Sequence, residues 1–336
     1  MSDKDRGQGT GDGFPPPPPS EPSHVVPIRD SRQHVSVAPE LRSETWARGV
    51  LTRRDFVRAG AGAAVGVSVA GAAWAEQAVA TPRASTVVLV RDERVLDAAH
   101  AVNEAILAEM LAATAMRVTG AATAREAWRT LFKPTDVVGL VPTPHLNPTH
   151  AEVVAAVRAA LVDAGVPDGN IRHAQGDVDR AAACTALVCL PALKAHWLTG
   201  IGTVLKNYIM FSGHPSHYHD EDSDRLGEIW LLPQVKGKTR LVLVDALRPL
   251  CDKGPQVDPR YLWDYKGLLA GTDPVAVEAV ALKIIQAKRE ALRGESWPLS
   301  PPPTCVAMAD RRYGLGTARM SEITIARSGW AADALV

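Results

Sequence analysis

The 336-residue chain has no net charge, because 37 Lys and Arg balance 37 Asp and Glu. Without a basic surplus it lacks the electrostatic footprint of a nucleic-acid binder, and no nucleic acid is expected as a partner. Cysteine is scarce. Cys184, Cys189, Cys251 and Cys305 show no C-x-x-C spacing. That excludes an iron–sulfur cluster held by four local cysteines, and it excludes a zinc ribbon. Buried free thiols are the simpler reading. No G-x-S-x-G elbow is present, which argues against a serine hydrolase of that kind. Internal repeats and heptads are also missing. What remains is ordinary globular material, 46% hydrophobic and 22% charged, enough for a large core.

The first 85 residues read as something other than the fold. Residues 1–50 are polar, with a proline run from Pro15 to Pro19, and form a disordered leader. Residues 51–75 join a basic stretch, Arg53-Arg54-Asp55-Phe56, to a short apolar segment rich in Gly and Ala that ends Ala73-Trp74-Ala75. This is the layout of an export signal. The paired arginines resemble the twin-arginine signal, which implies the twin-arginine export machinery as a partner. The apolar segment falls short of the roughly 20 residues needed to span a bilayer, so no stable membrane anchor is expected. Cleavage near Ala75 would leave an exported, periplasmic or otherwise extracytoplasmic protein beginning with a linker at 76–85. The twin-arginine route carries folded proteins and so favours a bound cofactor, with a divalent metal one candidate.

From residue 86 onward the pattern alternates. Thr86–Val90 reads as a strand and Asp92–Met116 as a helix closed by Gly120. Ala124–Phe132 is a second helix and Val137–Val141 a buried strand. Thr149 is placed to cap a helix over Ala151–Ala164. Further strands follow at Asn170–Ala174, Ala186–Leu190 and Arg240–Ala246. Asp273, or Thr272, can cap a helix that has Pro274 at its first position and runs to about Ala291. Glu322–Ile325 is a last strand. Strand and helix in alternation argue an α/β fold, a mostly parallel sheet flanked by helices. It would form one large domain over 86–326 with a tail at 327–336. In such sheets ligands sit beyond the carboxyl ends of the strands. That places the loops 142–150 and 191–207 at the candidate site.

The second of these loops is the densest in chemistry. Lys194 and Lys206 can clamp an anionic group, and Asn207 can orient it. The turn Thr199–Thr203 would add backbone N–H donors near a helix start. His196 follows a strand beside cationic groups and is the candidate general base or ligand. Asp245 ends a buried strand, where acid/base groups and metal ligands often sit. His145 and Asp273 are further ligand-binding candidates, though Asp273 serves equally well as a plain helix cap. His214, His217 and His219 could hold a metal, but H-x-H alone is weak and an exposed polar loop explains it as well.

Particular segments carry a family likeness. They are Val118-Thr119-Gly120 with Ala127-Trp128, Phe132 to Gly139, Leu193-Lys194-Ala195-His196, Leu205-Lys206-Asn207, and Lys238 to Leu241. Asp245-Ala246, Gly254-Pro255 and Thr272 to Val277 complete the set. In this order they resemble the domain-of-unknown-function 362 family, in its exported twin-arginine branch, from Thr86 to Ile325. The resemblance implies no settled reaction. Some relatives carry ferredoxin-type cysteine motifs that this chain lacks. The family also usually has a lysine and an asparagine where this chain reads Leu140-Val141-Pro142-Thr143. His145 and Asn147 are the nearby residues able to substitute. Taken together, the expectation is an exported enzyme that binds an anionic small molecule and is metal-dependent and redox-linked. A non-catalytic ligand- or metal-binding accessory protein is the alternative.

Overall fold

A computed structural model describes residues 84–336. The leader, the export signal and almost all of the linker lie outside the described residues. Nine strands form a mostly parallel sheet in the order β3-β2-β4-β7-β8-β1-β9, with β5 and β6 attached beside β7. In chain order the strands are β1 (Ser85–Arg91), β2 (Val138–Pro142), β3 (Ile171–His173), β4 (Ala186–Leu190) and β5 (Ala192–His196). They continue with β6 (Gly200–Ile201), β7 (Thr239–Leu250), β8 (Gly267–Gly271) and β9 (Ile323–Gly329). β8 runs antiparallel to both of its neighbours, β7 and β1. The helices are α1 (Glu104–Thr119), α2 (Ala124–Leu131), α3 (Ala151–Asp163), α4 (Val178–Ala183), α5 (Pro274–Arg293) and α6 (Thr304–Arg311).

The period of two in β1 shows how the layers are built. Val88 and Val90 pack on one face with the buried sides of α1, α2 and α3. Val87 and Leu89 pack on the other face with α5, α6 and the 201–235 segment. In α1 the buried residues Ile106, Leu107, Met110, Leu111, Thr114 and Ala115 make one stripe. Burying each large one contributes about 1.5–3 kcal/mol.

Several boundaries differ from the sequence expectation, each for a local reason. The first helix begins at Glu104, not near Asp92. Asp97 accepts the N–H groups of Ala99 and Ala101 and folds that stretch into a turn, and Asn103 then caps α1. Thr149 does not cap α3. Its hydroxyl donates to Leu190 O at 2.6 Å and accepts the N–H of Thr143. His150 occupies the cap position without a side-chain cap bond of its own. No helix starts at Thr199–Thr203. Gly200 and Ile201 pair back on β5 instead. β5, α4 and α6 had no counterpart in the sequence expectation. β9 extends to Gly329, into the stretch expected to be tail.

Candidate functional site

β4 and β5 are one run of chain interrupted by Pro191, laid along a single edge of β7. Leu187–Cys189 pair with Thr239–Val242, and Ala192–Lys194 pair with Asp245–Leu250 across a register shift. The chain then reverses into β6 through Gly200, whose φ is +74°. A Cβ there would also lie 2.6 Å from Pro301 O, so glycine is required twice over. This tight return leaves Lys194 and His196 on one wall and brings Gly202, Lys206 and Asn207 opposite.

Between them is a cavity of about 150 Å³, lined chiefly by Thr143, His145, Gln175, Lys194, His196, Lys206 and Asn207. Pro144, Leu146, Ile209, Met210 and Pro255 supply its apolar surface. Among the described residues no carboxylate lines it. Lys194 is 4% exposed, and its Nζ donates to Leu146 O at 2.7 Å and Asn147 O at 3.1 Å. Leu146 and Asn147 both have positive φ, 54° and 64°. Burial, helped by the charge of Lys206, pushes the Lys194 ammonium down to about 7. Burial likewise pushes Lys206 down to about 8. Among the described residues the Lys206 side chain makes no hydrogen bond and no ion pair; its backbone carbonyl accepts from Ile209 N–H at 2.9 Å.

His196 sits under the same influence. Burial, then the charges of Lys206, His219 and Lys194, pushes it down to about 3, so the ring is neutral. The backbone N–H of Leu198 donates to its Nδ1 at 3.1 Å. That bond uses the Nδ1 lone pair and puts the hydrogen on Nε2. The ring therefore presents a donor, not the free lone pair that a general base or metal ligand needs. Asn207 donates through Nδ2 to Val141 O at 2.6 Å, and its Oδ1 accepts from Thr143 Oγ1 at 3.4 Å. It ties the end of β2 to the loop that bears Lys206, so its part is positioning.

Other candidates stand elsewhere. Asp245 is 2% exposed and outside the cavity. The N–H of His150 donates to its Oδ2 at 2.7 Å, and His150 Nδ1 lies 2.6 Å from the same oxygen. Leu247 N–H donates to its other oxygen. Asp245 holds the residue that precedes α3 by both its backbone N–H and its ring. Asp273 caps α5 by accepting from Val275 and Ala276, and its second oxygen accepts from Ser85 and Thr317. It too lies outside the cavity. Of the N–H donors expected to form a nest at Thr199–Thr203, those of Thr199 and Gly202 are spent on His196 O and Lys194 O.

The three loop histidines separate. His214 stacks on His217 with ring centroids 5.3 Å apart, while His219 stacks on His196 at 5.6 Å. His219 Nε2 is left buried without a hydrogen-bond partner. Among the described residues no three His, Cys, Asp or Glu side chains group to hold a metal ion.

Three residues escaped the sequence reading. Glu278 is fully buried on α5, and its carboxylate accepts from the N–H groups of Val204 and Leu205 at 2.8 and 3.4 Å. Burial raises it to about 7 against those two bonds. The signal was a carboxylate on the inward stripe of α5, three residues before Ala281 and seven before Ile285. Gln175 reaches the cavity with Oε1 buried and unpartnered; nothing in its local pattern marks it. His150 was visible only as the end of a proline-rich loop.

Residues 166–283 match a protein-family model described as Domain of unknown function (DUF362). This stretch is similar to that family. It runs from before β3 into α5 and carries Lys194, His196, Lys206, Asn207, Asp245, Asp273 and Glu278. His145 and Thr143, on the β2 loop, come from outside the matched DUF362 stretch. No curated protein and no solved structure matches the chain.

Proposed function

We propose that this protein binds a small carboxylate or phosphate in the cavity between β5, the β2 loop and residues 202–210. The observation that carries the proposal is a buried lysine, Lys194, beside a half-buried one, Lys206, whose side chain has no partner, in a cavity with no carboxylate among the described residues. Burying an ammonium costs free energy unless an opposite charge meets it. An anionic ligand supplies that charge, and His196 Nε2–H adds a neutral donor. Inorganic phosphate or lactate is expected to raise the melting temperature, and Lys206→Met to weaken binding about 10- to 100-fold, the worth of one charge-assisted hydrogen bond. Titration calorimetry on the full chain and on Lys206→Met checks this. Equal affinities for both would remove Lys206 from the site. Conversion of the bound anion would mark an enzyme, and binding alone an accessory protein that uses the same cavity.

The proposed site of action is outside the cytoplasm, supported by Arg53-Arg54 and Ala73-Trp74-Ala75. Changing both arginines to lysine is expected to keep the chain in the cytoplasmic fraction of a twin-arginine host. Fractionation reads the result.

A further inference from the structure

We propose that Lys206 is a reactive amine that condenses with the carbonyl carbon of a small 2-oxo acid held in this cavity. The inference rests on the anion-binding reading and adds a reaction to it. The two lysines are held differently. Lys194 is fixed by two carbonyl oxygens, and its third hydrogen is left for a ligand carboxylate. Lys206 lines the same cavity, and its ammonium nitrogen has no partner among the described residues. No carboxylate in the lining holds it as an ammonium. Desolvation is a setting in which a lysine loses its proton and becomes a nucleophile. Burial already brings Lys206 down to about 8.

The rest of the lining suits the same ligand. A cavity of about 150 Å³ is well below the roughly 300 Å³ at which pockets for drug-sized ligands begin. An acid of a few carbons is the fitting size. With its carboxylate on Lys194, the adjacent carbonyl falls toward Lys206. The Nε2–H of His196 can donate to the carbonyl oxygen as charge collects there. Gln175 Oε1, which lacks a partner, can accept from the carbinolamine hydroxyl. The step balances without any oxidant or reductant. The neutral amine nitrogen forms a bond to the carbonyl carbon and the carbon–oxygen bond breaks. The oxygen leaves as water with the two hydrogens the amine brought, and an imine remains.

The test uses the purified protein with pyruvate and borohydride, read by intact mass and peptide mapping. The expected result is one reduced pyruvate adduct on the peptide that carries Lys206, suppressed by excess lactate and missing from Lys206→Met. The wild-type map is decisive even if that variant folds poorly. No adduct, or labelling spread over exposed lysines at a yield that Lys206→Met leaves unchanged, overturns the proposal. If lactate raises the melting temperature while pyruvate fails to label Lys206, the anion site stands and the amine chemistry falls. If Lys206 is labelled without protection or stabilisation by lactate, the amine chemistry stands and the anion reading falls.

Discussion

Asp245→Ala is expected to lower stability by about 3 kcal/mol, the cost of removing one partner from a buried charge pair. The carboxylate receives two bonds from His150 and one from Leu247. Without it the first N–H of the α3 entry and the imidazole lose their shared acceptor. Burial alone would lower the His150 pKa, but the hydrogen bond and charge of Asp245 outweigh it and the net shift is upward. A raised folded pKa gives stability that is fully present below the unfolded value and lost as pH rises through the folded one. The gap between wild type and Asp245→Ala should therefore be wider at pH 6 than at pH 8. Denaturant midpoints at both values, in a double-mutant cycle with His150→Ala, measure it. A gap that does not change with pH would mean the pair is not charged in the folded state.

Lactate affinity is expected to fall by about tenfold per pH unit for each lysine that must be charged, once pH exceeds that lysine's folded value. Those values are about 7 for Lys194 and about 8 for Lys206. Lactate stays ionised throughout, so the loss belongs to the protein. The ligand-free protein should respond in the opposite sense. Between pH 8 and 10 the unfolded chain keeps a proton on each lysine that the folded chain has released. Stability therefore rises with pH over that window. A melting temperature that climbs while affinity drops is the paired signature. Lys194→Met with Lys206→Met should flatten both curves. An affinity unchanged from pH 7 to pH 9.5 would show that neither ammonium holds the anion.

The elements with clear periods were legible in the sequence. β1, β4 and α5 declare themselves through apolar runs, a proline at the first helical position and a capping aspartate. Chain entries were less legible, because distant partners decide them. α3 starts where it does because Asp245, far along the chain, accepts from His150 and frees Thr149 to bond Leu190. The candidate site shows the same division. Lys194, His196, Lys206 and Asn207 lie close in sequence and were found together, with His145 across from them. Asp245 reads as the end of its strand, but β7 runs on to Leu250, and both Asp245 and Asp273 are taken up by backbone and side-chain donors of the chain itself. Local pattern cannot tell a carboxylate that awaits a ligand from one that already has its donors. Glu278 is the converse, a polar residue on an apolar face whose purpose depends on a turn that no local rule places.

β7 carries a consequence for how quickly a ligand is taken up. Its twelve residues bind β4 and β5 along one edge and β8 along the other, so one wall of the cavity is a continuation of the central sheet. Glu278 anchors the opposite wall to α5. A ligand arriving there meets a surface already in its final shape and spends little of its binding free energy on ordering the protein. Capture is then limited by encounter and by stripping water from the two lysines. Competing anions would differ chiefly in how long they stay.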